Sequence, residues 1–166
     1  MENLIITVGA SGSGKSTYCK TYSLDNKCLI ISTDKKRKEL TGNVSSQSMN
    51  QEVFESCYKV LRETEEETVI FDSTALSWKY VSRIIDKAKQ NKMPPKNIEI
   101  DMFETSNDFD ECLKRVKTDI ANNIDRSNVP EDVIRKQVDN YKKMLTSMGD
   151  FLRNIDRTHL LIRSIK

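Results

Sequence analysis

Hydrophobic and polar positions alternate along the chain in blocks of two kinds. Short apolar runs rich in β-branched residues occur at Leu4–Val8, Cys28–Ser32, Val69–Asp72, Ile98–Phe103 and His159–Ile165. Runs this short, bounded by turn residues, read as strands buried on both faces of a sheet. Between them the apolar residues fall at helical spacing. Lys15–Tyr22 follows the first strand. Gln47–Arg62 carries Val53, Phe54, Tyr58 and Leu61 on one side. Ser77–Gln90 repeats the pattern with Val81, Ile84, Ile85 and Ala88, and "MPP" ends it. Ser106–Ile120 opens on the acidic "SNDFDE", which suits the positive end of a helix. A long helix begins around Pro130, Glu131 and Asp132, and its pattern directs Val133, Ile134, Val138, Tyr141, Met144 and Leu145 inward.

Strands that alternate with helices imply parallel pairing through helical crossovers. The expected fold class is therefore α/β: a five-stranded, mostly parallel sheet with helices on both faces. No repeat, low-complexity tract or linker interrupts the 166 residues, so residues 1–166 are expected to form one domain. The polar stretch "ANNIDRSNV" at 121–129 is the one irregular connection, and with its flanks (about 115–135) it has the character of a helical lid.

Composition narrows the class only slightly. With 37% hydrophobic and 31% charged residues, the chain is neither disordered nor membrane-embedded. No apolar run approaches the ~20 residues of a transmembrane helix, and "MENLIITV" lacks the basic start of a signal peptide. Cys19, Cys28, Cys57 and Cys112 stand far apart with no CxxC pair, and His159 is the only histidine. Buried thiols in a reducing cytoplasm fit that spacing better than a zinc site. The net charge of +2 excludes a strongly basic nucleic-acid coat. Basic runs at 34–38, 114–117 and 135–143 read either as solvated helix faces or as one local groove for a phosphate-rich partner.

The candidate chemistry starts where the first strand ends. "GASGSGKST" comprises Gly9, Ala10, Ser11, Gly12, Ser13, Gly14, Lys15, Ser16 and Thr17, and it matches G-x-x-x-x-G-K-[ST] at every fixed position between a strand and a helix. Glycines let the backbone curl until its N–H groups point at phosphate oxygens, and the following helix adds its positive end. Lys15, expected to be exposed, reaches the β- and γ-phosphates, and Ser16 offers its hydroxyl to Mg²⁺. The loop is thus expected to hold a nucleoside triphosphate such as ATP. A guanine-reading switch is excluded, because neither "NKCL" nor "NKMP" carries the aspartate of N-K-x-D and no D-x-x-G follows a strand.

A phosphotransferase needs a base for the acceptor hydroxyl, a metal ligand and further cations. Asp34 ends the second strand in "IISTDKKRK", where open α/β sheets bind ligands; it reads as general base or as helix N-cap. Arg37 lies one turn on and suits a substrate phosphate. Asp72 ends the third strand in "VIFDST", as a Mg²⁺-ordering carboxylate or as a cap for the next helix. Thr74 lies next to the acceptor pocket. Arg126 in the lid reads as a transition-state cation or a surface residue, and Arg115 and Lys117 are weaker candidates for the same role.

Taken in order, "GASGSGKST", "ISTDKKR", "VIFDSTAL" and "RSNVPEDVIRK" resemble the kinase modules of 5′-OH polynucleotide kinases, over nearly the whole chain. "NVSSQSMNQEVFE" is similar to the corresponding segment of the bacterial RNA-repair kinases in that group. The resemblance implies a P-loop kinase fold. It also implies transfer of the ATP γ-phosphate, with Mg²⁺, to the 5′-hydroxyl of single-stranded or end-exposed DNA or RNA, in the cytoplasm of a bacterium or a phage-infected host. It makes Asp34 the base, Arg37 the grip on the phosphate beside the reacting nucleoside, Arg126 the lid cation and Gln47 a substrate contact. Where the family often carries a second lid arginine, this chain reads "TDIANNIDR". Kinases of other hydroxyl acceptors, small molecules or modified bases, share the scaffold, as do non-catalytic nucleotide-binding modules.

Overall fold

In the computed structural model the described residues are 1–44, 49–122, 124 and 128–166. Among them are strands β1 (Asn3–Val8), β2 (Leu29–Ser32), β3 (Thr68–Asp72), β4 (Asn97–Phe103) and β5 (Leu160–Ile165). The helices are α1 (Lys15–Asp25), α2 (Thr33–Thr41), α3 (Asn50–Glu63), α4 (Trp78–Ala88), α5 (Phe109–Ala121) and α6 (Glu131–Asn154), with a 3₁₀ turn at Glu104–Asn107. The strands pair in the order β2-β3-β1-β4-β5, and every pair is parallel. All five apolar runs are strands, and the sheet is wholly rather than mostly parallel.

Successive side chains point to opposite faces of a strand, and the register shows which partners each face meets. Leu4, Ile6 and Val8 of β1 share a face with Val69, Phe71, Ile100 and Met102; there Tyr58, Leu61, Ile84, Ile85, Tyr141 and Met144 of α3, α4 and α6 close the main core. Ile5 and Ile70 face the other way, against Cys19 of α1. The same face continues across the sheet as Thr7, Asp72, Glu99 and Asp101. Helices therefore cover both faces. Trp78 ties α4 to α6: its indole N–H donates to the Met144 carbonyl (2.9 Å), and its ring stacks on Phe151 at 4.2 Å.

Local signals set most boundaries. Ser77 caps α4 by accepting from the Tyr80 N–H, and Asp108 caps α5 by accepting from the Glu111 N–H. Thus Ser106, expected inside the fifth helix, instead lies in the 3₁₀ turn before it. Pro130 occupies the position just before α6.

Two of the six inward residues expected on the last helix are not buried: Val133 is 38% exposed and Leu145 39%. The buried stripe runs through Ile134, Val138, Tyr141, Met144 and Phe151, and Val133 and Leu145 stand at its margins. Val133 borders an open cleft at the helix start, and Leu145 borders a hollow of about 480 Å³ against β5. The edge strand also departs from the doubly buried pattern, for Leu161 is 51% exposed. Among the described residues no helix is long and apolar enough to cross a membrane.

Candidate active site

The carboxyl ends of β1, β2 and β3 open into one cleft of about 1210 Å³. Its floor is the loop from Gly9 to Thr17. Gly12 and Gly14 hold φ of 85° and 101°, a left-handed geometry that side chains strain to adopt. A Cβ on Gly12 would also stand 2.3 Å from the Cys112 carbonyl oxygen of α5. Gly12→Ala is expected to lose more stability than Gly42→Ala. Gly42 has a comparable φ of 73° but open space around it, so its variant bears the backbone penalty alone, about 1–3 kcal/mol. Urea denaturation of both variants reads the difference as the price of the contact with α5.

Other parts of the chain hold the loop as well. The Ala10 N–H donates to Ser106 Oγ (2.9 Å) and the Ser11 N–H to Gln137 Oε1 (2.8 Å). Lys15 is not exposed as expected. It is 8% exposed, and its Nζ donates back to the carbonyls of Gly9 (2.8 Å) and Ala10 (2.9 Å). Those carbonyls hold the ammonium inward. Ser13 Oγ is buried without a hydrogen-bond partner. A glycine cradle, an inward ammonium and an orphaned hydroxyl together fit the oxygens of a polyphosphate.

Asp72 stands behind this loop. Its carboxylate accepts from Thr7 Oγ1 (3.3 Å) and Ser16 Oγ (3.5 Å). Burial holds its carboxyl above the ordinary range, and the Lys15 ammonium offsets only part of that rise. Ser77, not Asp72, caps α4. A carboxylate linked to the Ser16 hydroxyl is the donor set a hydrated Mg²⁺ takes, so Ser16 and Asp72 fit that ion. The neighbouring Ser73 Oγ is buried and unpartnered, and the Thr74 carbonyl accepts from the Gly9 N–H (3.2 Å).

Asp34 and Arg37 pair one turn apart along α2, at the lining of the cleft. Ser32 is the N-cap of α2, accepting from the Lys35 N–H at 3.4 Å, and that leaves Asp34 in the first turn. Arg37 Nη1 donates to Asp34 Oδ1 (2.6 Å) and Nη2 to Asn50 Oδ1 (3.3 Å), while Nε is buried without a partner. The Arg37 side chain is 10% exposed and that of Asp34 57%. A buried donor left over beside an exposed carboxylate suits an anionic group next to a proton-accepting oxygen.

Of the weaker lid candidates, Arg115 borders the cleft. Its Nη1 lies 3.7 Å from where a Gly14 Cβ would stand, and its Nε donates to Glu111 (2.7 Å). Lys117 instead pairs with Glu131 at 3.8 Å. Arg126 and Gln47 lie outside the described residues. Each basic run has some local partners: Lys36 pairs with Glu39, Lys114 with Glu111 and Arg135 with Glu131. Sequence reasoning did not single out Ser73, Ser106 or Gln137, nor Tyr80 and Arg83 of α4, which line the same cleft. Gln137 sat in view inside "RKQVDNYKK", but no local signal aims a helix side chain at a loop 126 residues away.

Comparison with solved structures sets this arrangement among known folds. The chain is similar to a chain in the structure of the Pnkp1/Rnl/Hen1 RNA repair complex, with a TM-score of 0.72 and 20% identity over 88% of this chain and 46% of that one. A second match, in the structure of the Pnkp1/Rnl/Hen1 complex, has a TM-score of 0.56 and 21% identity over 69% and 38% of the respective chains. The chain thus spans less than half the length of either neighbour. No curated protein matches the sequence. A family model described as an AAA domain matches residues 4–144. With its P-loop on a parallel α/β sheet and that match over most of its length, the chain belongs to this AAA domain family.

Proposed function

We propose that the chain is an ATP-dependent polynucleotide 5′-hydroxyl kinase of nucleic-acid repair. The observation that carries this reading is the convergence of Lys15, Asp72 and the Asp34–Arg37 pair on one cleft. In this reading the loop backbone and Lys15 hold the β- and γ-phosphates of ATP. Ser16 and Asp72 would hold Mg²⁺, which would offset charge on those phosphates. Asp34 accepts the proton as the 5′-oxygen bonds to the γ-phosphorus and ADP leaves with the bond it breaks. Arg37, at the cleft lining, gives its guanidinium to the phosphate on the 3′ side of the reacting nucleoside. Arg126, and Arg115 over the loop, spread charge from the transferring group. A net charge of +2 leaves little field for an extended track, so the substrate is a strand end rather than a long duplex.

The test is incubation with γ-labelled ATP and a 5′-OH oligonucleotide of DNA or RNA. Label at the 5′ end is the expected result. Transfer only to small hydroxyl compounds makes the chain a small-molecule kinase, and binding of ATP without transfer makes it a nucleotide-binding module.

Asp72→Ala is expected to lower turnover about 10- to 100-fold, the usual effect of losing a group that orders a metal's shell. Raising Mg²⁺ relieves part of that loss. A magnesium titration that leaves the defect unchanged removes the metal role.

A further inference from the structure

The cleft continues beyond Arg37 into a wall that the phosphoryl-transfer chemistry leaves unused. α3 contributes Asn50, Phe54 and Tyr58 from successive turns, and α4 contributes Tyr80 and Arg83. The rings form a ladder from the core outward. Tyr58 stacks on buried Phe71 (6.0 Å, 21°), Phe54 meets Tyr58 (6.0 Å), and Tyr80 stacks on Phe54 (6.4 Å, 14°). The last ring is 48% exposed, and the Arg83 guanidinium lies over it, 5.8 Å from its centroid. A ring that a core ladder holds rigid at a cleft loses little entropy on receiving another flat ring, which enters as the long Arg83 side chain swings aside. Arg83 and Arg37 line the same cleft, and their guanidinium groups match the phosphates that join such rings in a strand.

We propose that Tyr80, backed by Phe54, is a stacking subsite for a base of the acceptor's 5′-terminal dinucleotide, and that Arg83 takes the phosphate next to that base. The proposal rests on the polynucleotide reading and adds to it. A strand end is selected by a ring contact as well as by charge, and the contact tolerates any base because every base offers a π-face.

The experiment compares 5′-OH oligonucleotides that are intact or abasic at the first or second position, with the full chain and its variants. Tyr80→Ala is expected to lower kcat/KM on the intact strand about 5- to 150-fold. It changes kcat/KM little on the strand abasic at the stacked position, and Tyr80→Phe restores it. Without ATP, a 2-aminopurine at that position is quenched by the wild type and not by Tyr80→Ala. Arg83→Gln lessens the salt dependence of binding by a slope of about 0.7. Thermal melting confirms that each variant is folded. If the wild type phosphorylates these strands but Tyr80→Ala affects intact and abasic acceptors alike, the subsite is wrong and the kinase reading stands. If the wild type labels no 5′-OH nucleic acid, that reading fails and the subsite fails with it.

Discussion

Lys15→Ala is expected to lower phosphoryl transfer by about 10³-fold, or about 4 kcal/mol of transition-state stabilisation. The side chain is the inward cation of the loop and is poised on the carbonyls of Gly9 and Ala10. Engaging a triphosphate exchanges those neutral acceptors for anionic ones, and a charge-assisted bond is roughly twice as strong. Because Lys15 is buried, the variant also loses stability. The two carbonyls face a cleft that water can enter, so the loss stays near the ~0.5–1.5 kcal/mol of an ordinary hydrogen bond. Single-turnover assay and urea denaturation read the two effects separately. Turnover above about a tenth of wild type removes the loop from the chemistry.

Asp34→Asn is expected to lower kcat by about 10²- to 10⁴-fold with little change in ATP affinity. The amide oxygen of Asn can still accept from Arg37 Nη1, so the guanidinium keeps its place and only proton acceptance is lost. That separation is what Ala would blur. The partner variant, Arg37→Ala, leaves the carboxylate and removes the phosphate grip. The wild type should prefer a nucleoside 3′-monophosphate to a bare nucleoside by roughly 10- to 150-fold in kcat/KM, and Arg37→Ala should erase most of that preference. ATP binding measured by calorimetry stays unchanged in both variants. If Asp34→Asn costs ATP affinity instead, the carboxylate belongs to the nucleotide side of the cleft.

What could be read from the residues, and what could not, follows from the range of the interactions involved. The strands were legible because burial on both faces writes a continuous apolar run, as in Leu4–Val8. The edge strand β5 broke the rule at Leu161 because an edge has fewer neighbours to cover it. The loop was legible because its glycines answer to backbone geometry, and Asp34, Arg37 and Asp72 because strand ends converge in a parallel sheet. The assignment of the α2 cap required knowing which of Ser32 and Asp34 had helical backbone, and adjacent polar residues do not reveal that. The inward turn of Lys15 depends on carbonyls whose direction is set by the folded loop. Tyr80, Arg83 and Gln137 reach the cleft from helices that only the topology brings together.

The loop's anchors carry a consequence for how nucleotide affinity arises along the chain. Ser106 and Gln137, which accept the Ala10 and Ser11 N–H groups, lie 96 and 126 residues downstream, and the carbonyl that excludes a Cβ at Gly12 is that of Cys112. A fragment ending before residue 104 keeps every letter of the motif but none of these three braces. Loops closed over such distances form late, after the local helices and hairpins of a chain have had time to appear. Triphosphate affinity should therefore emerge abruptly as α6 docks during synthesis or refolding, rather than grow with the first strand and helix. A chain stalled short of that point presents an intact motif with no grip on its ligand.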